Sequence, residues 1–199
     1  MEYRDFCGEE VSRLGLGCMR LPVRDGVAAA IDDEAAFAVM DALVEGGVTY
    51  VDTAFSYHDG ASEGFVGRAI RRYGRDRLHV ATKMPGHEIR PSFNPESIFT
   101  EQLARTGAGY FDYYLLHNVS EMSLARYMDP DLDILGFLLS RKRAGLIRHL
   151  GFSCHGQLST LERFLEFVDM KAPGEVEFVQ LQLNYVDWKD MPLEDSDEP

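Results

Sequence analysis

The strict alternation of short apolar runs with amphipathic segments constrains the fold of this chain more than any other feature. Each apolar run is followed by a segment whose apolar residues recur at the i, i+3, i+4 spacing of a helix. Strands that are apolar throughout and alternate with helices predict a parallel sheet covered by helices. The predicted strands are the run LGLGCMRLP, which ends at Pro22, and residues 49–53, 78–82, 113–116, 147–152 and 176–183.

Helix start and stop signals lie between these strands. Asp32 or Asp33 can cap the first helix, and Asn94-Pro95 is typical of a helix start. Further helices are expected from near Ser62, from 130 to 144 and from about Leu158, and residues 2–13 are predicted to form a hairpin that turns at Gly8. The expected inward faces are Ala36, Met40, Leu43 and Gly47; Val66, Ala69, Ile70 and Tyr73; Phe99, Leu103 and Thr106; Leu135, Leu138 and Leu139; and Leu161, Leu165 and Val168.

The charge balance excludes several classes of partner. The chain has 199 residues and a formal net charge of −13, whereas nucleic acid and anionic membranes both require a basic face. No apolar run reaches the length of a secretory signal or a membrane span, so we expect a cytoplasmic protein. Cys7, Cys18 and Cys154 are far apart, which predicts reduced and mostly buried thiols rather than disulfides, zinc or an iron–sulfur cluster.

Two architectures can hold such a sheet: an open doubly wound sheet and a β/α barrel. The first strand–helix connection lacks the glycine pattern of a dinucleotide-binding doubly wound fold, because GLGCMRL has no third glycine and no helix start. The polar candidates instead follow the strands, where barrel enzymes carry their chemistry. The sequence therefore predicts an α/β fold of the (β/α)8 TIM-barrel type, present here as about six βα units with an N-terminal hairpin.

Four polar side chains follow three consecutive strands: Asp52 with Tyr57, then Lys83, then His117. Asp52 can hold the Lys83 ammonium, and an ammonium beside a phenol lowers the pKa of the phenol and makes Tyr57 a better acid. His117 can hydrogen-bond a substrate oxygen or share the proton. The bland alternatives are a structural salt bridge, an exposed loop tyrosine and a structural histidine. The occurrence of all four polar side chains on neighbouring strands favours a single polar site over these alternatives.

A metal-dependent barrel hydrolase is a competing interpretation of the same region. Asp52, His58, His117 and His155 could act as metal ligands at the mouth of the barrel. Two features disfavour this interpretation: no His-x-His pair marks the end of the first strand, and a metal cation would repel the Lys83 ammonium.

The motifs together resemble the aldo-keto reductase family. The resemblance extends from about Met1 to Lys189, and it is carried by VSRLGLGCMRLP, YVDTAFSYHDGASEGFVGRAI, VATKMPG, DYYLLHN and LIRHLGFSCHG. The stretches LLHNV, GFSCHG and QLQLNYVDW look most like a bacterial branch whose longer members carry an iron–sulfur tail. The cysteines of that tail are absent, so no cluster is expected in this chain. The family is known as a (β/α)8 barrel that reduces aldehydes and ketones with NADPH or NADH.

The resemblance implies a catalytic role for four residues. Asp52, Tyr57, Lys83 and His117 match the catalytic tetrad of the family. In that chemistry a hydride passes from the nicotinamide to the carbonyl carbon of a small substrate while the tyrosine protonates the oxygen.

The resemblance also implies which residues contact the cofactor, NADP(H) or NAD(H). Ser153 and Gln180 look like the residues that hold the nicotinamide carboxamide, and Asp52 belongs to the cofactor side of the site as well. An asparagine often follows that serine in the family, whereas this chain has Cys154, which removes one hydrogen bond to the carboxamide.

The length of the chain falls short of the family fold. A (β/α)8 barrel typically needs about 250 residues, and this chain has 199. In the family, the aromatic residue that stacks on the nicotinamide follows the seventh strand, and the loop that grips the adenosine phosphates follows the eighth. We therefore expect a partial barrel over residues 1–188, an acidic disordered tail over 189–199, weak cofactor binding and impaired reduction.

Six strands cannot close with the tilt and shear of a barrel. The strands near Leu16 and Val179 would then be open apolar edges, through which self-association is expected. Three explanations stay open: a fragment of a longer protein, a truncated protein completed by a second chain, and an abbreviated fold that has lost catalysis. We favour a fragment or a truncated product. A non-catalytic, nicotinamide-sensing or regulatory barrel subunit is the alternative to a reductase.

Overall fold

The computed structural model describes residues 1–88 and 93–183 and contains a curled parallel sheet of six strands. The strands of this sheet lie in sequence order and are β3 Gly15–Gly17, β4 Tyr50–Asp52, β5 His79–Met84, β6 Phe111–Val119, β7 Ile147–Cys154 and β8 Val176–Leu181. A separate antiparallel hairpin precedes it, formed by β1 Tyr3–Phe6 and β2 Glu9–Ser12. The predicted fold is confirmed: this is an incomplete (β/α)8 barrel with an N-terminal hairpin.

Six helices follow the strands of the sheet within the described residues. They are α1 Asp33–Glu45, α2 Ala61–Tyr73, α3 Pro95–Thr106, the short α4 Leu124–Tyr127, α5 Ile134–Arg143 and α6 Leu158–Lys171. The predicted starts of α1 and α3 are confirmed, because the Asp32 side chain accepts a hydrogen bond from Ala35 N and the Asn94 side chain accepts one from Ser97 N. Across residues 1–88 and 93–183, no helix combines the length and the apolar character needed to cross a bilayer.

The helix predicted from 130 to 144 was wrong at its start. Asp131 N donates a hydrogen bond to Asp129 Oδ1 at 2.8 Å, and this aspartate turn holds the backbone out of a helix until residue 134. The preceding turn, α4, was not predicted. Leu165 was also placed wrongly: it is exposed, and Phe164 and Phe167 form the buried face of α6 instead.

Most of the core lies between the sheet and the helices, and a smaller cluster closes one end of the barrel. In that cluster Phe6 stacks on Tyr113 with ring centroids 4.9 Å apart, and it also contacts Tyr50 and Phe178. The Tyr113 hydroxyl donates a hydrogen bond to Phe6 O at 2.9 Å. The hairpin therefore fills the amino-terminal end of the parallel strands, which leaves the carboxyl-terminal end as the open face.

Among the described strands the sheet ends at β3 and β8, the two edges predicted from the sequence. A cavity of about 490 Å³ lies between them and is lined by residues of the hairpin, β3, β4 and β8, including Gly17, Asp52 and Gln180. All three cysteines are free thiols; Cys18 and Cys154 are buried as predicted, and Cys7 is half-buried. The predicted tail over 189–199 lies outside the described residues, so the proposed domain boundary stays a prediction.

Candidate active site

Lys83 is the centre of a buried polar cluster at the open end of the barrel. The residue is 1% exposed, and its Nζ donates to Asp52 Oδ1 at 2.6 Å and to Thr53 O at 2.9 Å. The same Nζ lies 3.2 Å from Tyr57 Oη. Strands β4 and β5 are parallel neighbours, and Asp52 lies opposite Ala81, two residues before Lys83. The pairing therefore brings the carboxyl ends of both strands, and these polar groups, together. The predicted approach of Asp52, Tyr57 and Lys83 is present.

His117 faces the same cluster from β6. Its ring lies 5.6 Å from the Tyr57 ring, measured between centroids, and meets it edge-on at 78°. Strands β5 and β6 run further than the sequence pattern indicated, so Lys83 and His117 both lie within strands rather than beyond them. The four predicted side chains thus converge at the rim, with Lys83 touching two of them and His117 reaching the cluster through the phenol ring.

A buried hydrogen-bond network beneath Lys83 was missed by sequence reasoning. Gln102 Nε2 donates to Lys83 O at 3.0 Å and to Glu63 Oε1 at 2.7 Å, and Thr82 Oγ1 donates to the same Glu63 oxygen. Burial raises the pKa of Glu63, and hydrogen bonds from Thr82 and Gln102 oppose that shift. The available signal was a glutamine on the inward face of α3, where its neighbours on that face are Phe99 and Thr106.

The β6 strand carries a bulge where His117 enters the site. Pairing with β7 is regular as far as Leu116 and shifts register before Val119. Asn118, within the bulge, has a φ of +54°, in the left-handed region that most side chains avoid. Bulges of this kind occur next to active sites. Here His117 continues the inward alternation of Tyr113 and Leu115, and the bulge turns Val119 into the core between the sheet and the helices.

Ser153 and Gln180, the predicted carboxamide ligands, are paired in register on β7 and β8. Ser153 is buried and its Oγ accepts a hydrogen bond from Asn118 N at 2.8 Å, whereas Gln180 is exposed on the edge strand. Because Ser153 accepts this bond with a lone pair, its hydroxyl proton is available as a donor. Cys154 follows on the same strand with its thiol buried, and it offers no amide.

His58 occupies a structural position rather than a free one. Leu21 N donates to its Nε2 at 2.9 Å, so Nδ1 carries the proton and donates to Ala28 O at 2.8 Å. Both ring nitrogens are thereby engaged by backbone groups, which removes His58 from the ligand set of the hydrolase interpretation. Within residues 1–88 and 93–183, no three His, Cys, Asp or Glu side chains gather as metal ligands.

A polar cavity of about 270 Å³ lies beside the phenol and imidazole. Its lining residues are Met19, Ser56, Tyr57, His58, His117, Asn118 and His155. A small molecule bound here would touch Tyr57 and His117 together, so this cavity is the space in which a substrate oxygen could meet both groups.

The family match and the individual relatives of this chain point to the same protein family. The sequence matches the Aldo/keto reductase family over residues 13–196. Aldo-keto reductase yakc of Schizosaccharomyces pombe, whose name specifies NADP(+), is 31% identical over an alignment of 161 positions, which covers 75% of this chain and 44% of that protein. NADH-specific methylglyoxal reductase of Escherichia coli is 25% identical over an alignment of 197 positions, which covers 89% of this chain and 56% of that protein.

Among solved structures, the holo form of aldo-keto reductase AKR11C1 from Bacillus halodurans is similar with a TM-score of 0.69 at 25% identity, covering 92% of this chain and 58% of that one. Fold and site together define an incomplete (β/α)8 barrel with a polar cluster at the carboxyl-terminal ends of its strands. This chain belongs to the aldo/keto reductase family. It spans about half the length of the relatives that it matches.

Proposed function

We propose that this chain carries the catalytic side of an NAD(P)H-dependent oxidoreductase that reduces an aldehyde or ketone, with Tyr57 as the proton donor. The observation that carries the proposal is the position of Lys83 Nζ, which lies 2.6 Å from Asp52 Oδ1 and 3.2 Å from Tyr57 Oη in a buried site. A buried ammonium held by a carboxylate and placed against a phenol is arranged to stabilise the phenolate. A purely structural ion pair needs no phenol at that distance.

Each of the four side chains then has a defined task. Tyr57 Oη gives its proton to the carbonyl oxygen as negative charge develops there, and the Lys83 ammonium stabilises the phenolate that remains. Asp52 holds the ammonium in place. His117, whose ring meets the phenol ring edge-on, hydrogen-bonds the carbonyl oxygen and fixes the substrate in the polar cavity.

The described residues fit the nicotinamide end of a dinucleotide. Ser153 and Gln180 would hold the carboxamide, and Asp52 Oδ2, which is buried and has no partner among the described residues, would accept a hydrogen bond from a ribose hydroxyl. When bound, the reduced nicotinamide supplies the hydride. The names of two relatives specify NADP(+) and NADH respectively, so the proposal is a nicotinamide dinucleotide without a choice between them.

The test is oxidation of NADPH or NADH in the presence of a broad aldehyde such as 4-nitrobenzaldehyde, at millimolar cofactor. We expect Tyr57→Phe to lower turnover by about 10²–10⁴-fold, the usual contribution of a positioned general acid. Tyr3→Phe is the matched control, because it removes an exposed hydroxyl that donates to Gly47 O. Turnover equal to the parent chain in Tyr57→Phe, with its circular dichroism unchanged, would contradict the assignment.

The open edge of the sheet favours a second candidate, a regulatory barrel subunit that binds a nicotinamide without turning it over. Gln180 lies on β8, which pairs only with β7 among the described strands, so the cofactor side is incomplete in this part of the chain. Cofactor binding without oxidation at any aldehyde concentration would favour this candidate over the reductase.

A further inference from the structure

The bulge at His117 and Asn118 is held by hydroxyl side chains in place of the regular sheet ladder. Asn118 N donates to Ser153 Oγ at 2.8 Å, and Asn118 O accepts from Ser123 Oγ at 2.6 Å. His117 O accepts a hydrogen bond from the Tyr127 hydroxyl. Three backbone groups of the bulge therefore depend on side chains from β7 and from the turn around α4.

Tyr127 makes the most extensive of these contacts. Its hydroxyl lies within hydrogen-bonding distance of His117 O at 2.5 Å and Met84 O at 3.0 Å, and it accepts from Gly86 N at 2.9 Å. One atom thus joins the end of β5, just after Lys83, to the bulge of β6. The side chain is 1% exposed, and burial raises the pKa of its hydroxyl, so the phenol keeps the proton that it donates.

Two close neighbours, Gly86 and Phe164, restrict the Tyr127 ring. A Cβ built on Gly86 would collide with the Tyr127 ring, so a glycine is required where the loop after β5 crosses it. Phe164 of α6 packs on the ring with a centroid distance of 6.0 Å. The hydroxyl is consequently fixed between the two strand ends that carry Lys83 and His117.

We propose that Tyr127 is a positioning residue, which sets the direction of His117 toward Tyr57 by anchoring the β6 bulge to the end of β5. Tyr127 does not line the cavity beside Tyr57, so it acts through His117 and not on the substrate. The inference rests on the proposed role of His117 in carbonyl reduction. Loss of the Tyr127 hydroxyl would leave His117 O and Gly86 N without this partner and would allow the bulge to relax.

The test compares Tyr127→Phe with Tyr113→Phe in the full chain. Both changes remove one hydroxyl from a buried ring, but the Tyr113 hydroxyl donates to Phe6 O at the opposite end of the barrel. The first readout is the imidazole NMR signal of ¹⁵N-labelled His117, assigned with His117→Gln. We expect the shifts and the titration midpoint of His117 to change in Tyr127→Phe and to stay unchanged in Tyr113→Phe.

Turnover gives the second readout. We expect kcat in Tyr127→Phe to fall by about 10-fold to 100-fold with a small change in KM, since misplacing a catalytic group by about 1 Å costs on the order of 10²-fold. Unchanged His117 signals in Tyr127→Phe, or an equal change in Tyr113→Phe, would overturn the inference. If Tyr127→Phe does not fold, Ser123→Ala removes the neighbouring bond to Asn118 O and is held to the same NMR criterion.

The two readouts separate the two claims. A parent chain that lacks turnover with every aldehyde contradicts the proposed function, while the His117 signals still decide whether Tyr127 positions the imidazole. If the parent chain reduces an aldehyde but the His117 signals do not respond to Tyr127→Phe, the proposed function is supported and the positioning role of Tyr127 is wrong.

Discussion

Lys83 Nζ lies 3.2 Å from the Tyr57 hydroxyl oxygen and 4.7 Å from the centre of its ring, so one ammonium contacts the oxygen and lies within cation–π range of the ring. A cation over an aromatic face is attracted by the ring quadrupole, and the attraction is stronger when the cation is desolvated. Since Lys83 is almost wholly buried, this contact restricts the ring as well as the hydroxyl. The phenol is therefore oriented before any substrate arrives.

Substitutions in the buried Asp52–Lys83 pair are expected to lower stability strongly, and their effects are expected to be non-additive. We expect Lys83→Met to lower the free energy of unfolding at pH 7 by about 3–5 kcal/mol, because Asp52 would keep a buried charge without its partner. Adding Asp52→Asn should restore part of this loss, since the uncompensated charge is then removed. Urea denaturation of the two single variants and the double variant measures the coupling.

Arg13→Met is the control for this cycle. Arg13 pairs with Glu2 at 2.6 Å, but both side chains are more than half exposed. Surface pairs of this kind contribute about 0–1 kcal/mol, so the control should change little. If Lys83→Met is as stable as Arg13→Met, leaving Asp52 without its cationic partner does not lower stability, and the prediction is wrong.

Glu121 predicts a pH-dependent contribution to stability. Its carboxylate accepts from Gln157 N and Thr160 Oγ1 and so caps α6, whose own N-cap side chain makes no such bond. Burial opposes ionisation of Glu121, yet hydrogen bonds from Thr160 and Gln157 outweigh it and lower its pKa below the ordinary 4.5. A lowered pKa in the folded state gives stability that is present above pH 4.5 and is lost as the pH falls through the folded value.

We therefore expect Glu121→Ala to lower the free energy of unfolding by about 1 kcal/mol at pH 7, as for the loss of a helix N-cap acceptor. The difference from the parent chain should shrink below pH 4.5. Glu121→Gln, which keeps an acceptor without the charge, should retain part of the stability and show no such pH dependence. A difference that grows on acidification would contradict this account.

Cofactor affinity is predicted to be low for this chain. The cofactor contacts proposed above are limited to the carboxamide and the ribose, and one of the residues proposed for them, Gln180, lies on an exposed edge strand. We expect a Kd for NADPH of hundreds of micromolar or weaker, that is, no better than about −5 kcal/mol of binding free energy. Titration followed by NADPH fluorescence measures it. Binding at micromolar concentration or tighter would contradict the prediction.

Self-association through the open edge of β8 is a further prediction. Within residues 1–88 and 93–183, β8 pairs only with β7, and Val179 and Leu181 on it are 38% and 50% exposed. The described strands therefore end in an apolar edge to which a second chain could add. We expect sedimentation analysis to show concentration-dependent oligomers that Val179→Lys reduces. Met170→Lys, at an exposed apolar position on the outer helix α6, is the control and should leave the oligomers unchanged. A monomer at all concentrations would contradict the prediction.

The order of strands and helices and the convergence at Lys83 were predictable because they depend on local signals. The Asn94 cap, followed directly by proline, marks a helix start through backbone chemistry that needs no tertiary partner. Asp52 and Lys83 each follow an apolar run, and parallel pairing places the ends of neighbouring strands together. The sequence pattern therefore contained both the strand order and the polarity of this part of the site.

The positions that could not be predicted depend on long-range contacts. Gln102 is polar on an inward helical face, and its partners Glu63 and Lys83 O come from two other elements. The β6 bulge depends on hydroxyls supplied after the strand has ended, such as Tyr127. The error at Leu165 has a similar cause. The helical spacing of α6 is compatible with two neighbouring apolar faces, and only packing against the sheet determines which of them is buried.

The position of Phe6 has a consequence for how the barrel is made during synthesis. This residue touches side chains of β4, β6 and β8, and it leaves the ribosome before any of those strands. The ring contacts of Phe6 are therefore completed only when Phe178 of β8 has also left the ribosome. Since an isolated two-stranded hairpin is at best marginally stable in water, this end of the barrel reaches its final packing late in synthesis.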